Sequence, residues 1–271
     1  VSKIGPDLLG ELMSYDYLTQ PNRGCPFKCS FCCNNPQFEM YEKDYKPPSF
    51  RERSIDNIID ELVIIKNTMP FLDHVKFDDD VFFFLSEEKI EEFCTKYKEH
   101  VDLPLDIGGT TPSTLSKRKM ELLIDAGMVC FRMGIQTAAE RTKRLYKRGY
   151  SDKKILQAAH IINEFKATIR PIYDIILNNP WEEDEDLAET LILLAKIPAP
   201  FELNLFSLSF YPGTGLHDRA VEEGLVVDLV TDVYRKSYNL TMDGTSGELV
   251  DQGHMNNLFF MVHVLAKNNK N

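Results

Sequence analysis

Long apolar runs are missing from the sequence: no stretch approaches the roughly 18 to 20 continuous apolar residues of a membrane span. The first residues lack the basic-then-apolar order of a signal peptide, so the chain reads as soluble and cytoplasmic. Opening on Val1 rather than Met, it also reads as a processed chain or a segment of a longer one. Repeats, low-complexity tracts and Gly/Ser-rich linkers are absent, which excludes solenoids and flexibly tethered modules up to about residue 224. Positive charge is in deficit, with 31 Lys and Arg against 42 Asp and Glu and a net charge of −11. That balance argues against a general nucleic-acid surface, although Lys143, Arg144, Lys147 and Arg148 form a local basic run. Cysteine is sparse, six in 271 residues, and a chain this long does not need a disulfide framework. Four of the six nonetheless fall at Cys25, Cys29, Cys32 and Cys33. Such clustering belongs to metal chemistry.

Short β-rich runs alternate with amphipathic helical runs. A strand is expected over 15–20. Ser54 then caps a helix carrying Ile55, Ile58, Ile59, Leu62 and Ile65 at helical spacing. A strand over 74–78 follows, and a helix opened by Ser86 with Glu87 and Glu88 in its first turn. The later expectations are strands over 105–108, 129–135, 168–177 and 202–210, separated by helices over 116–126, 151–166 and 184–196. Six strand-then-helix units require a parallel sheet with right-handed crossovers. The expected fold is therefore α/β, a partial (β/α)6 TIM-like barrel over 1–224. A short C-terminal extension over 225–271 is expected to pack on it, with a turn at 243–247 and a buried helix or strand at 258–265. In such barrels the functional side chains gather at the C-terminal strand ends.

Directly after the first expected strand stands Arg23-Gly24-Cys25-Pro26-Phe27-Lys28-Cys29-Ser30-Phe31-Cys32. Pro26 disfavours helix early in the loop, and spacings of four and three residues let three thiolates wrap one small inorganic body. Three thiolates on a four-iron cubane leave one iron open, as a catalytic centre requires. A zinc site is the alternative, but it wants a fourth ligand. Cys33, adjacent to Cys32, is poorly placed for that and reads as a small buried neighbour. Cys94 and Cys130 read as unpaired core cysteines.

The C-x3-C-x2-C motif, with Phe31 before its last cysteine and a β/α series around it, resembles the radical S-adenosylmethionine superfamily. The likeness runs from about residue 15 to 224. It implies that Cys25, Cys29 and Cys32 hold a catalytic [4Fe–4S] cluster. S-adenosylmethionine would bind the open iron and be cleaved reductively to a 5′-deoxyadenosyl radical that abstracts hydrogen from the substrate. An electron donor such as flavodoxin or ferredoxin is implied as partner. Where the family usually has Gly-Gly-Glu, this chain has Asp78-Asp79-Asp80. That departure resembles the branch often fused to a cobalamin-binding domain, which would lie upstream of Val1, and it implies a methyltransferase.

By the same resemblance Phe31, Asp78, Asp79, Gln136, Arg148 and Asp174 are the cofactor-binding set. Gln136 lies in a Gly-Ile-Gln-Thr element that reaches the ribose, Arg148 meets the methionyl carboxylate, and Asp174 contacts the ribose. Asn178 stands where the family has Gly, which puts a close backbone approach in question. The turn Tyr211-Pro212-Gly213-Thr214 and the run Glu222-Glu223-Gly224-Leu225 match fold signatures of the cobalamin-associated and tRNA-modifying branches. A small-molecule or peptide substrate is implied. The rival readings are a cobalamin-independent enzyme such as a tRNA modifier, a non-catalytic iron–sulfur scaffold, and a zinc-binding β/α module. No side chain announces itself as a second acid, base or radical relay.

Overall fold

The computed structural model describes residues 16–45, 50–236 and 253–268. Six strands form one parallel sheet: β1 (Asp16–Thr19), β4 (His74–Phe77), β5 (Leu105–Thr110), β6 (Met128–Gln136), β7 (Arg170–Leu177) and β8 (Glu202–Ser207). They lie side by side in chain order, with β1 and β8 at the two edges. The sheet is open, so the architecture is a partial (β/α)6 barrel. A second, two-stranded antiparallel sheet pairs β2 (Asn22–Arg23) with β3 (Arg51–Glu52). It was not expected, and neither was α1 (Asn34–Tyr45), which follows the cysteine loop.

Helix starts follow from side-chain capping. Ser54 accepts from the N–H of Asn57 at the head of α2 (Ile55–Thr68), and Ser86 from Lys89 at the head of α3 (Glu87–His100). Ser116 does so from Lys119 in α4 (Lys117–Asp125). After α5 (Glu140–Leu145), Ser151 repeats the device from Lys154 in α6 (Asp152–Asn163). Each such cap satisfies one of the four orphan N–H groups of a helix and is worth about 1 kcal/mol. The next helices are α7 (Asp184–Leu194) and α8 (Gly215–Glu222).

Alternation along the strands divides the sheet's two faces. Val75, Phe77, Leu105, Ile107, Phe131, Met133, Tyr173, Ile175, Leu203 and Leu205 are buried in one core with the apolar stripes of the helices. The intervening residues, among them Asp106, Arg132, Asp174, Asn204 and Phe206, are only partly buried and face the concave side. The expected strand 202–210 ends at Ser207, although the N–H of Leu208 still reaches the Leu177 carbonyl at 2.9 Å. The expected strand 105–108 instead runs to Thr110. It contains an irregular register that lets Gly109 adopt φ +68.

The segment expected as a helix or strand at 258–265 is helical, within α9 (Gly253–Asn268). His263 Nδ1 accepts the N–H of Leu203 at 2.9 Å, which satisfies a donor of the β8 edge. Asn256 donates to Asn178 Oδ1 at 2.8 Å at the end of β7. Asn178 holds φ +57, the left-handed conformation that asparagine tolerates better than most residues, so the family's glycine is not needed there. Tyr15 of the first expected strand and the turn at 243–247 lie outside the described residues. No helix among the described residues is long and apolar enough to cross a membrane.

The basic run does not make a basic patch. Lys143 is 2% exposed and paired with Glu140 at 2.8 Å and Asp152 at 2.6 Å, and Arg148 turns inward, so only Arg144 and Lys147 face solvent.

Candidate functional site

The cysteine loop leaves β2 at the C-terminal mouth of the sheet and is tied down from four directions. Asp79, 5% exposed, accepts from the backbone N–H and Nδ2 of Asn22 at 2.7 and 3.0 Å, and from the N–H of Val81 at 2.9 Å. Asp80 accepts the N–H of Gly24 at 3.0 Å and Nδ2 of Asn34 at 2.8 Å, bracketing the three cysteines from both ends. Ser30 donates its N–H to the carbonyl of Tyr146 at 3.2 Å and its hydroxyl to that of Leu145 at 2.5 Å. The N–H of Leu216, in the first turn of α8, reaches the carbonyl of Ser30 at 3.3 Å. Phe31 meets Tyr146 edge to face, with ring centres 5.0 Å apart, and Phe27 meets Phe84 at 6.4 Å.

In this arrangement the Asp79 carboxylate accepts from Asn22 and Val81 and braces the loop. Burial lifts its carboxyl to about 6, against three N–H donors that favour the anion. Asp78 lies apart from the Phe31 cavity, in an open groove with Tyr17, Gln20, Arg23, Arg53 and Glu61. Asp80, which sequence reasoning did not single out, is a loop anchor instead.

Cys29 is buried, whereas Cys25 and Cys32 are half-buried. Burial pushes the Cys25 thiol up to about 11. Cys33 beside it raises the Cys32 thiol, and burial adds to that effect. Such thiols keep their protons unless a metal displaces them. Among the described residues no three His, Cys, Asp or Glu side chains converge as ligands of one metal ion.

Arg148 joins the loop to the sheet. Its Nη1 donates to Cys29 Sγ at 3.3 Å and its Nε to the Tyr150 hydroxyl at 2.9 Å, while Nη2 donates to Gln136 Oε1 and to the Gly134 carbonyl at 3.3 Å. Gln136 also accepts from Tyr150 at 3.0 Å and sits at φ +65. A Cβ at Gly134 would lie 2.3 Å from Gln136 Nε2 and 3.2 Å from Arg148 Nη2, so a side chain there would make these two side-chain ends shift. The exposed helix-end arginine that Arg148 resembles in sequence is here a nearly enclosed one.

Phe31, Gln136 and Asp174 line one cavity of about 200 Å³ with Arg132, Ile176 and Phe206. Asp174 accepts from Arg132 Nε at 2.8 and 2.9 Å and from Asn204 Nδ2 at 3.1 Å. Burial raises the Asp174 carboxyl, with Arg132 opposing it. Burial likewise works against the Arg132 charge, and Asp174 more than restores it. Sequence reading missed Arg132, whose one signal was a charged residue inside a buried strand.

Behind the loop, Glu182 follows β7 and accepts from Thr137 at 3.3 Å, with the Thr142 side chain also favouring its anion. Burial pushes its carboxyl up to about 7. A folded carboxyl that prefers its proton costs stability only above the unfolded pKa. Wild type should therefore lose stability relative to Glu182→Gln as pH rises from about 4.5 through 7, by roughly 3 kcal/mol in all. Urea midpoints at about pH 5 and about pH 8 check this, and an unchanged gap between the two proteins would refute it.

Fold and site together define a partial β/α barrel with a three-cysteine loop pinned at its C-terminal mouth. The Radical SAM superfamily model matches residues 19–194, well over half of the chain, and the chain belongs to that superfamily. Membership implies a [4Fe–4S] cluster and S-adenosylmethionine.

The tRNA-2-methylthio-N(6)-dimethylallyladenosine synthase of Aquifex aeolicus (strain VF5) is 28% identical over 131 residues, 48% of this chain and 29% of that protein. The chain thus spans under a third of that relative's length. Among solved structures, the radical S-adenosylmethionine methyltransferase TsrM from Kitasatospora setae, with tryptophan substrate and an S-adenosylmethionine analogue, aligns with a TM-score of 0.61. The match covers 78% of this chain and 39% of that one at 17% identity. The cobalamin-dependent radical enzyme OxsB aligns with a TM-score of 0.52 over 80% of this chain and 31% of that one at 16% identity. Identities this low show a shared fold.

Proposed function

We propose that Cys25, Cys29 and Cys32 hold a [4Fe–4S] cluster and that the chain is the catalytic barrel of a radical S-adenosylmethionine enzyme. The observation that carries this reading is Arg148, which donates at once to Cys29 Sγ and to Gln136 and so couples the cysteine loop to the end of β6. The donor set suits a cubane: three thiols, each taking a different iron, need not converge on one ion as zinc ligands must. The bound cluster would supply the electron that cleaves S-adenosylmethionine to 5′-deoxyadenosine by way of its radical.

The chain's own residues do the holding. Arg148, whose nitrogens donate to Cys29, Tyr150, Gln136 and Gly134, would bring its positive charge to the methionyl carboxylate, and Gln136 and Asp174 offer a donor and acceptors to the ribose hydroxyls. Phe31 and Ile176 wall the cavity with apolar surface that excludes water. Reduction would come from a small electron donor such as flavodoxin or ferredoxin.

The finer reading is a cobalamin-linked enzyme, a methyltransferase acting on a small molecule or peptide. Its support is the Asp-Asp-Asp run after β4 and the cobalamin-dependent fold neighbours. A tRNA modifier is the second reading, favoured by the Aquifex relative. The burial of Lys143 and the inward hydrogen bonds of Arg148 weigh against it, because RNA binding needs exposed cations.

Anaerobic reconstitution with iron and sulfide, followed by dithionite and chromatography for 5′-deoxyadenosine, tests the main reading. Wild type is expected to form it, and Arg148→Ala to need far more S-adenosylmethionine for the same rate. A protein that assembles its cluster yet yields no cleavage product would instead be an iron–sulfur scaffold.

A further inference from the structure

On β6, Arg132 lies four residues before Gln136, and its side chain lines the same cavity. Only one edge of its guanidinium is used: Nε donates to both Asp174 oxygens. Among the described residues, neither Nη1 nor Nη2 has a hydrogen-bond partner, and the side chain is 40% exposed. Its guanidinium carbon stands 5.4 Å from the centre of the Phe206 ring, so the plane of the fork is already set. A guanidinium with a fixed plane and two free terminal nitrogens matches the two oxygens of a carboxylate. Around it the cavity wall is apolar at Phe31, Ile176 and Leu208, with the hydroxyls of Ser207 and Ser209 beside them.

Charge decides between oxyanions. The pair already sits near balance, with Asp78 also acting on Arg132 and Arg148 on Asp174. A carboxylate adds one negative charge to that group and a phosphate dianion adds two, in a half-buried pocket where unbalanced charge is costly.

We propose that the terminal nitrogens of Arg132 bind the carboxylate of the substrate, so that this enzyme acts on a small organic acid with an apolar or aromatic body. Asp174 holds the fork from behind, and the ring of Phe206 supports it from one side. The inference rests on the radical reading of the site for its consequence, while the binding itself can be read without turnover.

The probes are 3-phenylpropionate and its neutral amide, 3-phenylpropionamide, titrated calorimetrically into the reconstituted protein. The acid is expected to bind at least about tenfold more tightly than the amide. Arg132→Met should erase that preference. Arg132→Lys, which keeps the charge beside Asp174 but loses the fork, should weaken acid binding severalfold, and it serves if the methionine variant does not fold. Equal affinity of acid and amide, no binding of either, or a preference that survives in Arg132→Met would overturn the proposal. Formation of 5′-deoxyadenosine by wild type in any of those cases would leave the radical reading standing and remove only the carboxylate site.

Discussion

Cys29→Ala is expected to leave a folded protein that holds little iron and forms no detectable 5′-deoxyadenosine. Cys29 is the most buried of the three motif thiols, and Arg148 donates to its sulfur, so its loss removes a cluster ligand and uncouples the loop from β6 at one stroke. A cluster left with two protein thiolates has lost one of its three cysteine ligands. Iron and sulfide content, measured on the anaerobically reconstituted variant, should fall in step with activity. The anchors at Ser30, Asn34 and Leu216 do not involve the thiol, so circular dichroism and thermal unfolding should change little. Full iron content with full activity would remove Cys29 from the ligand set. Full iron content without activity would instead make it a residue that positions the cofactor.

Gly109→Ala is expected to give the largest loss of stability from a single methyl group. Gly109 sits at φ +68 in the irregular stretch of β5, and an added Cβ would lie 2.2 Å from the Asp79 carbonyl oxygen and 2.8 Å from the Val81 nitrogen. Both are backbone atoms and cannot rotate away. The left-handed conformation alone costs an alanine about 1–2 kcal/mol, and forced displacement of packed backbone adds about 1–3 kcal/mol. For a domain of this size, a total of about 3 kcal/mol lowers the melting temperature by roughly 6–12 °C.

The same clash pushes the Asp79 turn off Asn22, so cluster content should fall in Gly109→Ala although no ligand is touched. A melting temperature within about 2 °C of wild type would show that the turn relaxes freely. Gly108 is the control: a Cβ there would come no closer than 3.6 Å to the Phe77 carbonyl oxygen and should be tolerated.

Much of the scaffold was legible in the sequence because its signals are local. Ser54, Ser86, Ser116 and Ser151 each cap a helix whose apolar spacing begins within a few residues, and the strands between them are short alternating runs. The strand ends that shifted include Thr110, where the β5–β6 register is irregular, and Ser207. Asp79 shows the limit of reading a site by position. The resemblance gives this acidic residue after the second strand of the main sheet a cofactor role, and the structure adds that its carboxylate bonds Asn22, 57 residues away. Nothing in the run Asp78-Asp79-Asp80 separates an anchor from a ligand until the backbone of the cysteine loop lies beside it.

What the sequence alone determined was the order of six β/α units and the three-thiol loop after the first strand. These follow from periodicity, capping and spacing, which act over a turn of helix or a pair of residues. Only the tertiary structure decided which side chains meet. The β6–β7 register sets Gly134 opposite Asp174, and so brings the Arg132 side chain alongside that carboxylate 42 residues away. The fold of the chain after α5 sends Arg148 inward to Cys29, and α9 returns to bond Leu203 and Asn178. Hydrogen bonds and ion pairs act over about 3 Å, and across such sequence distances only the packed sheet brings their partners that close.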